Sequence, residues 1–462
     1  MLFSSFTFIF SFVGVLALYQ ALARFQRLRL WLLLVASYGF YAYWDPRFLI
    51  LIFLSTAVDY VVAGRLRQSP QPMRLLLFSI FVNLGFLGIF KYFDFFQRSL
   101  EELLRHLSIS YHPLLLGIMV PVGISFYTFQ SMAYTIDVYR GHTEPCRDPL
   151  LFALFVAYFP QLVAGPIERS RQLLPQLSNL RSLRTETLTS GFILMTLGFF
   201  KKCVLGDLAG YYLVEPYFDS PSNGVELWVA TLGFTVQIYG DFSGYTDIAR
   251  GVSRCFGVEL SKNFLAPYFA SSITEFWRRW HVTLSAWFRD YLYIPLGGNR
   301  KGALRTYFNL SATMLLCGLW HGASATFLLW GAYHGILLIA HRSLGREGKP
   351  DSLPKVIFTF LLTCYGWMLF RLDDAGKLWR YTELLVRPQA AGVDSLLLLR
   401  WLSTLAVLYL GIAFFHWLER QDEQFEELFS PAVAGAVIAL LWVIILSLGS
   451  LAEPLPFIYF QF

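Results

Sequence analysis

Charge is scarce in this 462-residue chain: Lys, Arg, Asp and Glu make up only 15% of it, against 56% hydrophobic residues. A soluble domain carries roughly a quarter charged residues, so this composition, with a mean hydropathy of +0.51, excludes a soluble fold and indicates a polytopic membrane protein. Cysteine is also sparse. The five residues Cys146, Cys203, Cys255, Cys317 and Cys364 form no CxxC pair, which gives neither a disulfide framework nor a zinc site and leaves them as small packing groups. There is no Gly-x-Ser-x-Gly elbow, so serine-hydrolase chemistry is disfavoured. Repeats, low-complexity tracts and a soluble domain are likewise missing, and nothing suggests nucleic acid as a partner.

What the chain does have is apolar runs of about 18 residues or more, the length that crosses ~30 Å of hydrocarbon. The first, Leu2 to Leu22, lacks a basic leader region and reads as a retained helix. Arg24, Arg27 and Arg29 after it place the N-terminus outside by the positive-inside rule. Helices follow near 30–44 and 48–64, joined by Asp45-Pro46-Arg47, and near 73–93, leading into an amphipathic surface helix over 95–108. Pro121-Val122-Gly123 interrupts the run 114–139. The run 149–166 ends in Pro160-Gln161-Leu162-Val163-Ala164-Gly165-Pro166 and reads as a re-entrant or half helix. Further helices are expected near 188–214, 226–249, 306–321, 324–341, 354–371, 394–418 and 431–452. The loop Arg342 to Lys355 is basic and reads as cytoplasmic. The acidic loop around Glu419, Asp422, Glu423, Glu426 and Glu427 carries little topological weight. One integral membrane domain over 1–462 is expected, with N-terminal helices over 1–110, a motif-bearing core over 114–345 and C-terminal helices over 354–462.

The net charge of +6 is concentrated, with six basic and two acidic residues between Thr274 and Arg305. Such a face either meets anionic lipid or holds a polyanionic ligand. On one continuous helix Trp277, His281 and Ser285 would share a face while Glu275 and Arg279 pair on another. Arg278, Arg279, Arg289, Arg300, Lys301 and Arg305 would then line the membrane boundary, as anchors for lipid headgroups or as forks for phosphates. Tyr291 to Arg300 reads as an interfacial helix closed by Gly297-Gly298-Asn299. His321 ends an otherwise apolar helix, flanked by Gly318 and Gly322, which permit close approach of a helix or ligand. It is either a packing residue or, since imidazole titrates near neutral pH, a general base. His334 and His341, seven apart, lack a carboxylate or cysteine at helical spacing, so no metal site is expected; His106, His112, His142 and His416 read as loop or helix-end residues. Gln237, Tyr239, Asp241 and Ser243, interleaved with glycines, form either a substrate-channel wall or an interhelical hydrogen-bond network, and the intramembrane charges Lys201, Lys202, Asp207, Asp241 and Asp247 must face a cavity or a partner.

Three motifs read together carry a resemblance. Glu275-Phe276-Trp277-Arg278-Arg279-Trp280-His281, then Trp287-Phe288-Arg289-Asp290-Tyr291-Leu292-Tyr293-Ile294-Pro295-Leu296-Gly297-Gly298-Asn299-Arg300, then Gly318-Leu319-Trp320-His321-Gly322-Ala323 resemble the membrane-bound O-acyltransferase superfamily. Within it the chain resembles the alginate O-acetyltransferase branch of bacterial exopolysaccharide acetylases, up to about Arg371, with Gln161 to Ile167, Asp241 to Asp247 and the opening Phe3-Ser4-Ser5 also fitting.

The resemblance implies an all-α polytopic fold, a ring of roughly 11–13 transmembrane or re-entrant helices around a central funnel or tunnel. It also implies His321 as the family's invariant histidine and His281 as the second motif histidine. The donor would be acetyl-coenzyme A from the cytoplasm, with no permanently bound cofactor. The acetyl group would pass across the bacterial inner membrane to an extracytoplasmic SGNH-like acetyltransferase that decorates a polysaccharide. The candidate site is then His321 and His281 for catalysis, with Trp277, Arg278, Arg279, Arg289, Asn299, Arg300, Gln237, Tyr239, Asp241, Ser243 and Trp320 around donor or acceptor. His281, Tyr239 or Asp241 could orient His321 or bind the acceptor. Two alternatives are a polysaccharide transporter or channel, and an acyltransferase for teichoic acid, peptidoglycan or protein.

Overall fold

The computed structural model describes residue 3 and residues 5–345, 352–388, 393–421, 430–449 and 455–458. Asp422, Glu423, Glu426 and Glu427 of the acidic loop, and Arg346 and Lys349 of the basic one, lie outside the described residues. Among the described residues all regular structure is helical, in keeping with a solvent in which a helix alone satisfies every backbone group within one segment. Among the described residues six helices are long and apolar enough to cross a membrane: Pro46–Leu66, Pro72–His106, Thr185–Val214, Leu353–Arg371, Ser395–Arg420 and Pro431–Leu448. The chain is an all-α polytopic membrane protein, and it divides into two compact units, Met1–Leu188 with Val252–Ser261 and Thr189–Gly251 with Lys262–Phe462.

The first unit holds α1 (Phe6–Ala21), α2 (Gln26–Ala42), α3 (Leu49–Leu66), α4 (Pro72–Leu87), α5 (Phe93–His106), α6 (Ile124–Tyr139), α7 (Pro149–Ala157), α8 (Phe159–Leu162) and α9 (Ser170–Ser178). Its polar centre is Asp59 on α3, fully buried, which accepts from Asn83 Nδ2 on α4 (3.0 Å), Thr135 Oγ1 on α6 (3.1 Å) and Ser79 Oγ. The expected amphipathic surface helix is α5, none of whose residues is buried, and a π-helical turn at Gly88–Tyr92 joins α4 to it as one continuous helix of 35 residues. The Pro121-Val122-Gly123 segment precedes a helix rather than interrupting one: α6 starts at Ile124 after a left-handed Gly123 (φ 76°), where a Cβ would lie 2.7 Å from Leu162 O. With nine residues, α7 is about 14 Å long, less than half the hydrocarbon thickness of ~30 Å.

The second unit contains most of α10 (Thr185–Phe200), α11 (Asp207–Ala209) and α12 (Gly224–Cys255, through Gly251). Two π-helical turns, Lys201–Gly206 and Gly210–Val214, bracket α11. Glycines on both sides bring this stretch onto α12, since a Cβ on Gly240 would lie 2.6 Å from Gly206 N and one on Gly198 2.7 Å from Gly244 O. The alternating glycines of α12 are thus a backbone-to-backbone seam. Then come α13 (Ile273–Arg279), α14 (Val282–Phe288), α15 (Ala303–His321), α16 (Ala325–Ser343), α17 (Leu353–Arg371), α18 (Leu378–Val386), α19 (Ser395–Arg420) and α20 (Pro431–Leu448). The α15–α16 hairpin is closed by the same device, as Gly318, Gly322 and Gly331 leave no room for a Cβ against Phe327 and Met314.

Candidate active site

The motif around His281 is a broken helix. Ser272 caps α13 by accepting from Glu275 N (3.2 Å), and the Glu275 carboxylate accepts from Ser271 N (2.6 Å) and pairs with Arg279. The last helical bond runs from Trp280 N to Phe276 O (2.8 Å), after which Asn263 takes over the next turn. Val282 N donates to Asn263 O (3.0 Å), and Asn263 Oδ1 accepts from Thr283 N (3.3 Å) and Thr283 Oγ1 (2.7 Å). His281 is thereby held left-handed, with φ 42° and ψ 56°, a conformation that costs a non-glycine residue about 1–3 kcal/mol and persists only where its surroundings impose it. The break separates the residues expected on one helix face. Trp277 turns to Trp330 (ring centroids 5.6 Å) and His334 (5.2 Å), whereas His281 lies edge-on to Phe242 (4.6 Å) and near Trp320 (6.1 Å), its Nδ1 3.4 Å from Asn263 Oδ1.

His321 is the last residue of α15, buried, with Trp320 (5.0 Å), Trp330 (5.0 Å) and Phe370 (5.2 Å) edge-on around its ring. The close approach that Gly318 and Gly322 allow is therefore used by α16, which brings Trp330 to the histidine. The Trp320 indole lies against both His321 and His281, so the two motif histidines share one aromatic neighbour. Trp330 also reaches His334 (4.8 Å). Trp277 Nε1, Trp330 Nε1 and His334 Nδ1 are buried with no hydrogen-bond partner among the described residues, and an orphaned buried polar atom costs about 1–3 kcal/mol unless something else meets it. The site is an aromatic enclosure with polar atoms to spare.

The expected basic rim divides in two. Arg278 at the end of α13, Arg305 in the first turn of α15, and Asn299, Arg300 and Lys301 are exposed; the last three follow a turn built from Gly297 (φ 115°) and Gly298 (φ 54°), whose Gly298 carbonyl accepts from Asn309 Nδ2 (2.9 Å). Arg279 is instead committed to Glu275 and to Ala266 O (3.3 Å), and Arg289 pairs with Asp290 (2.8 Å).

The α12 candidates sit at two buried lysines. Lys201 Nζ donates to Ser243 Oγ, Asp247 Oδ2 and Glu419 Oε1, each at 2.8 Å, and Tyr239 OH donates to the same Glu419 oxygen (2.6 Å). Lys202 Nζ donates to Asp207 (2.6 Å) and Asp241 (2.9 Å); Gln237, four residues before Asp241, lies against Gly210. Sequence reasoning missed Glu419 and His416. Glu419 is not loop but the buried end of α19, where its Oε2 accepts from Ala266 N (2.7 Å), and His416 one turn earlier accepts at Nε2 from Tyr268 N (3.2 Å). These bonds anchor the segment that leads from Asn263 into α13. The signal was there in outline, a His and a Glu three apart at the end of an apolar helix, where an ionisable group needs a partner. Among the described residues no group of three His, Cys, Asp or Glu side chains could hold a metal ion.

Residues 147–347 match the family model of MBOAT, the membrane-bound O-acyltransferase family. Over its whole length the chain is 40% identical to the probable alginate O-acetylase AlgI of Pseudomonas putida, and the alignment covers all of both proteins. The chain belongs to the membrane-bound O-acyltransferase family. It is also 42% identical to the probable alginate O-acetylase AlgI of Pseudomonas aeruginosa, over 90% of this chain and 81% of that one. With the peptidoglycan O-acetyltransferase of Helicobacter pylori it shares 36% identity, over 81% of this chain and 77% of the relative. As a member of this family the protein is a multi-pass membrane O-acyltransferase, and the family match takes in both motif histidines, the rim and α12.

Proposed function

We propose that the protein takes acetyl groups from cytoplasmic acetyl-coenzyme A and passes them across the bacterial inner membrane for O-acetylation of an exopolysaccharide, alginate or a similar glycan. An extracytoplasmic SGNH-like acetyltransferase completes the transfer. The observation that carries this reading is the pair of motif histidines meeting on the Trp320 indole inside an aromatic enclosure, in a chain alignable end to end with a probable alginate O-acetylase.

A thioester is already activated, so the protein has to supply proximity, a base and oxyanion stabilisation rather than a metal. His321 takes the proton of the incoming hydroxyl as its oxygen attacks the thioester carbonyl, and the thiolate of coenzyme A leaves as the tetrahedral intermediate collapses. A base so placed contributes roughly 10²–10⁴ in rate. The buried indole N–H groups of Trp277 and Trp330, without partners among the described residues, are donors for the oxyanion. His281, which also contacts Trp320, positions the acceptor. The exposed Arg278, Arg300 and Lys301 bind the donor's phosphates, whereas Arg279, Gln237, Tyr239, Asp241 and Ser243 support the walls and the exposed Arg289 is held by Asp290. The test is O-acetyl content of the polymer in a strain lacking the gene, complemented with wild type or His321→Ala. Polymer made at normal yield without acetyl groups supports the reading; loss of the polymer itself would favour an export channel, and acetylated polymer with altered peptidoglycan would favour a cell-wall acceptor.

A further inference from the structure

The segment Leu455–Ile458 follows α20 in sequence yet is built into the interior of the second unit. Phe457 and Ile458 are each 1% exposed. An ammonium has three donors, and Lys202 gives two to Asp207 and Asp241 and the third to Leu455 O (3.1 Å). Without that carbonyl, a buried N–H of Lys202 would lose its partner. Leu455 fills the space left by a glycine, since a Cβ on Gly210 would lie 2.6 Å from Leu455 Cδ1. Two residues on, the Phe457 ring stacks on Tyr245 (4.7 Å) and leans on Phe242 (6.0 Å), and Phe242 is the ring that His281 meets edge-on at 4.6 Å. From the buried cation to the motif histidine the contacts are continuous.

We propose that Leu455–Ile458 is a strap that sets the aromatic floor beneath His281, with Lys202 as its anchor and Phe457 as a positioning residue for acyl transfer. The inference rests on the acetyltransferase reading above for its kinetic consequence alone. The backbone of His281 is held left-handed through Asn263, and its ring meets Phe242 edge-on at 4.6 Å. Phe242 projects from α12 and packs against Phe264 (5.2 Å) as well as Phe457 (6.0 Å), so loss of the Phe457 ring removes one of these supports and lets Phe242 and the imidazole shift together. A shift of about 1 Å in a reacting group costs up to roughly 100-fold in rate.

The experiment compares Phe457→Tyr, Phe457→Leu and Phe457→Ala in the full-length protein in detergent, by coenzyme A release from acetyl-coenzyme A and by diethyl pyrocarbonate labelling of His281 read by peptide mass spectrometry. Phe457→Tyr keeps the ring at the cost of burying a hydroxyl and is expected to retain more kcat than Phe457→Leu. Phe457→Leu, which keeps most of the volume and guards against a misfolded alanine variant, is expected to lose about 10- to 100-fold in kcat with donor KM unchanged, and to label His281 faster. Wild-type kcat and labelling in both Phe457→Leu and Phe457→Ala would overturn the strap, as would a loss confined to KM. Should wild type itself release no coenzyme A, the donor reading fails instead, and the labelling of His281 still decides the strap.

Discussion

Gly318→Ala adds one methyl group three residues before His321, at the tightest point of the α15–α16 hairpin. The new Cβ would fall on the Phe327 carbonyl oxygen, with Phe327 C at 3.1 Å and Gly331 N at 3.2 Å. Every one of these atoms is backbone, so no rotamer change relieves the clash and α16 must move away. Overpacking of this kind costs about 1–3 kcal/mol. Because α16 carries Trp330 against the His321 ring, a displacement of roughly 1 Å also predicts about a 100-fold loss of turnover. Gly335→Ala, on the same helix, is the control. Its Cβ would meet Met314 Cβ at 3.5 Å and Ser311 Cα at 3.6 Å, ordinary contacts, so it should stabilise by up to ~1 kcal/mol through lost chain freedom in the unfolded state. Thermal unfolding in detergent and coenzyme A release read both variants. A Gly318→Ala protein with wild-type Tm and turnover, or a Gly335→Ala protein equally damaged, would refute the reasoning.

Lys201→Met strands Glu419 and Asp247, and a broken buried ion pair costs about 3–5 kcal/mol; the low end is expected because Asp247 keeps Arg250 (3.3 Å) and Glu419 keeps Tyr239 OH and Ala266 N. A double-mutant cycle with Glu419→Gln by denaturant unfolding should show strong coupling, and simple additivity would contradict it. Asn263→Ala keeps the Val282 N to Asn263 O bond but removes the side-chain bonds to Thr283 that help hold His281 left-handed, and should cost about 1–3 kcal/mol together with kcat, measured by unfolding and steady-state kinetics. Arg300→Ala should raise donor KM at low salt and little above physiological ionic strength, where the Debye length is about 8 Å. Arg279→Ala, which loses Glu275 and Ala266 O, should instead lower Tm at any salt.

The helices and the candidate His321 were legible because they rest on local signals, apolar length and a lone imidazole ending a greasy helix, whereas His281 was singled out by the motif it shares with the family. The break at His281 was not, since α13 stops through Asn263, 18 residues upstream, and no periodicity within 275–285 encodes that competitor. Trp277 and His281 therefore share no helix face, and Trp330, absent from every motif, reaches His321 through glycine packing of two helices. The charges of 201–214 and 226–249 did read as needing partners, yet which carboxylate meets which lysine depends on two π-helical turns and on Glu419 from α19, some two hundred residues away in sequence. Tyr239 and Asp241, both weighed as groups that orient His321, are spent on these lysine clusters. Local chemistry survives in sequence; pairings across helices do not.

The central claim is that His321 is the base of a donor-side acyltransferase. The measurement that tests it most directly is release of coenzyme A from radiolabelled acetyl-coenzyme A by the purified protein, comparing wild type, His321→Ala and His281→Ala, each shown to be folded by its melting profile. The account predicts loss of turnover by roughly 10²–10⁴ in His321→Ala with donor binding retained, and a smaller loss in His281→Ala. Folded His321→Ala protein that turns over at the wild-type rate would contradict it.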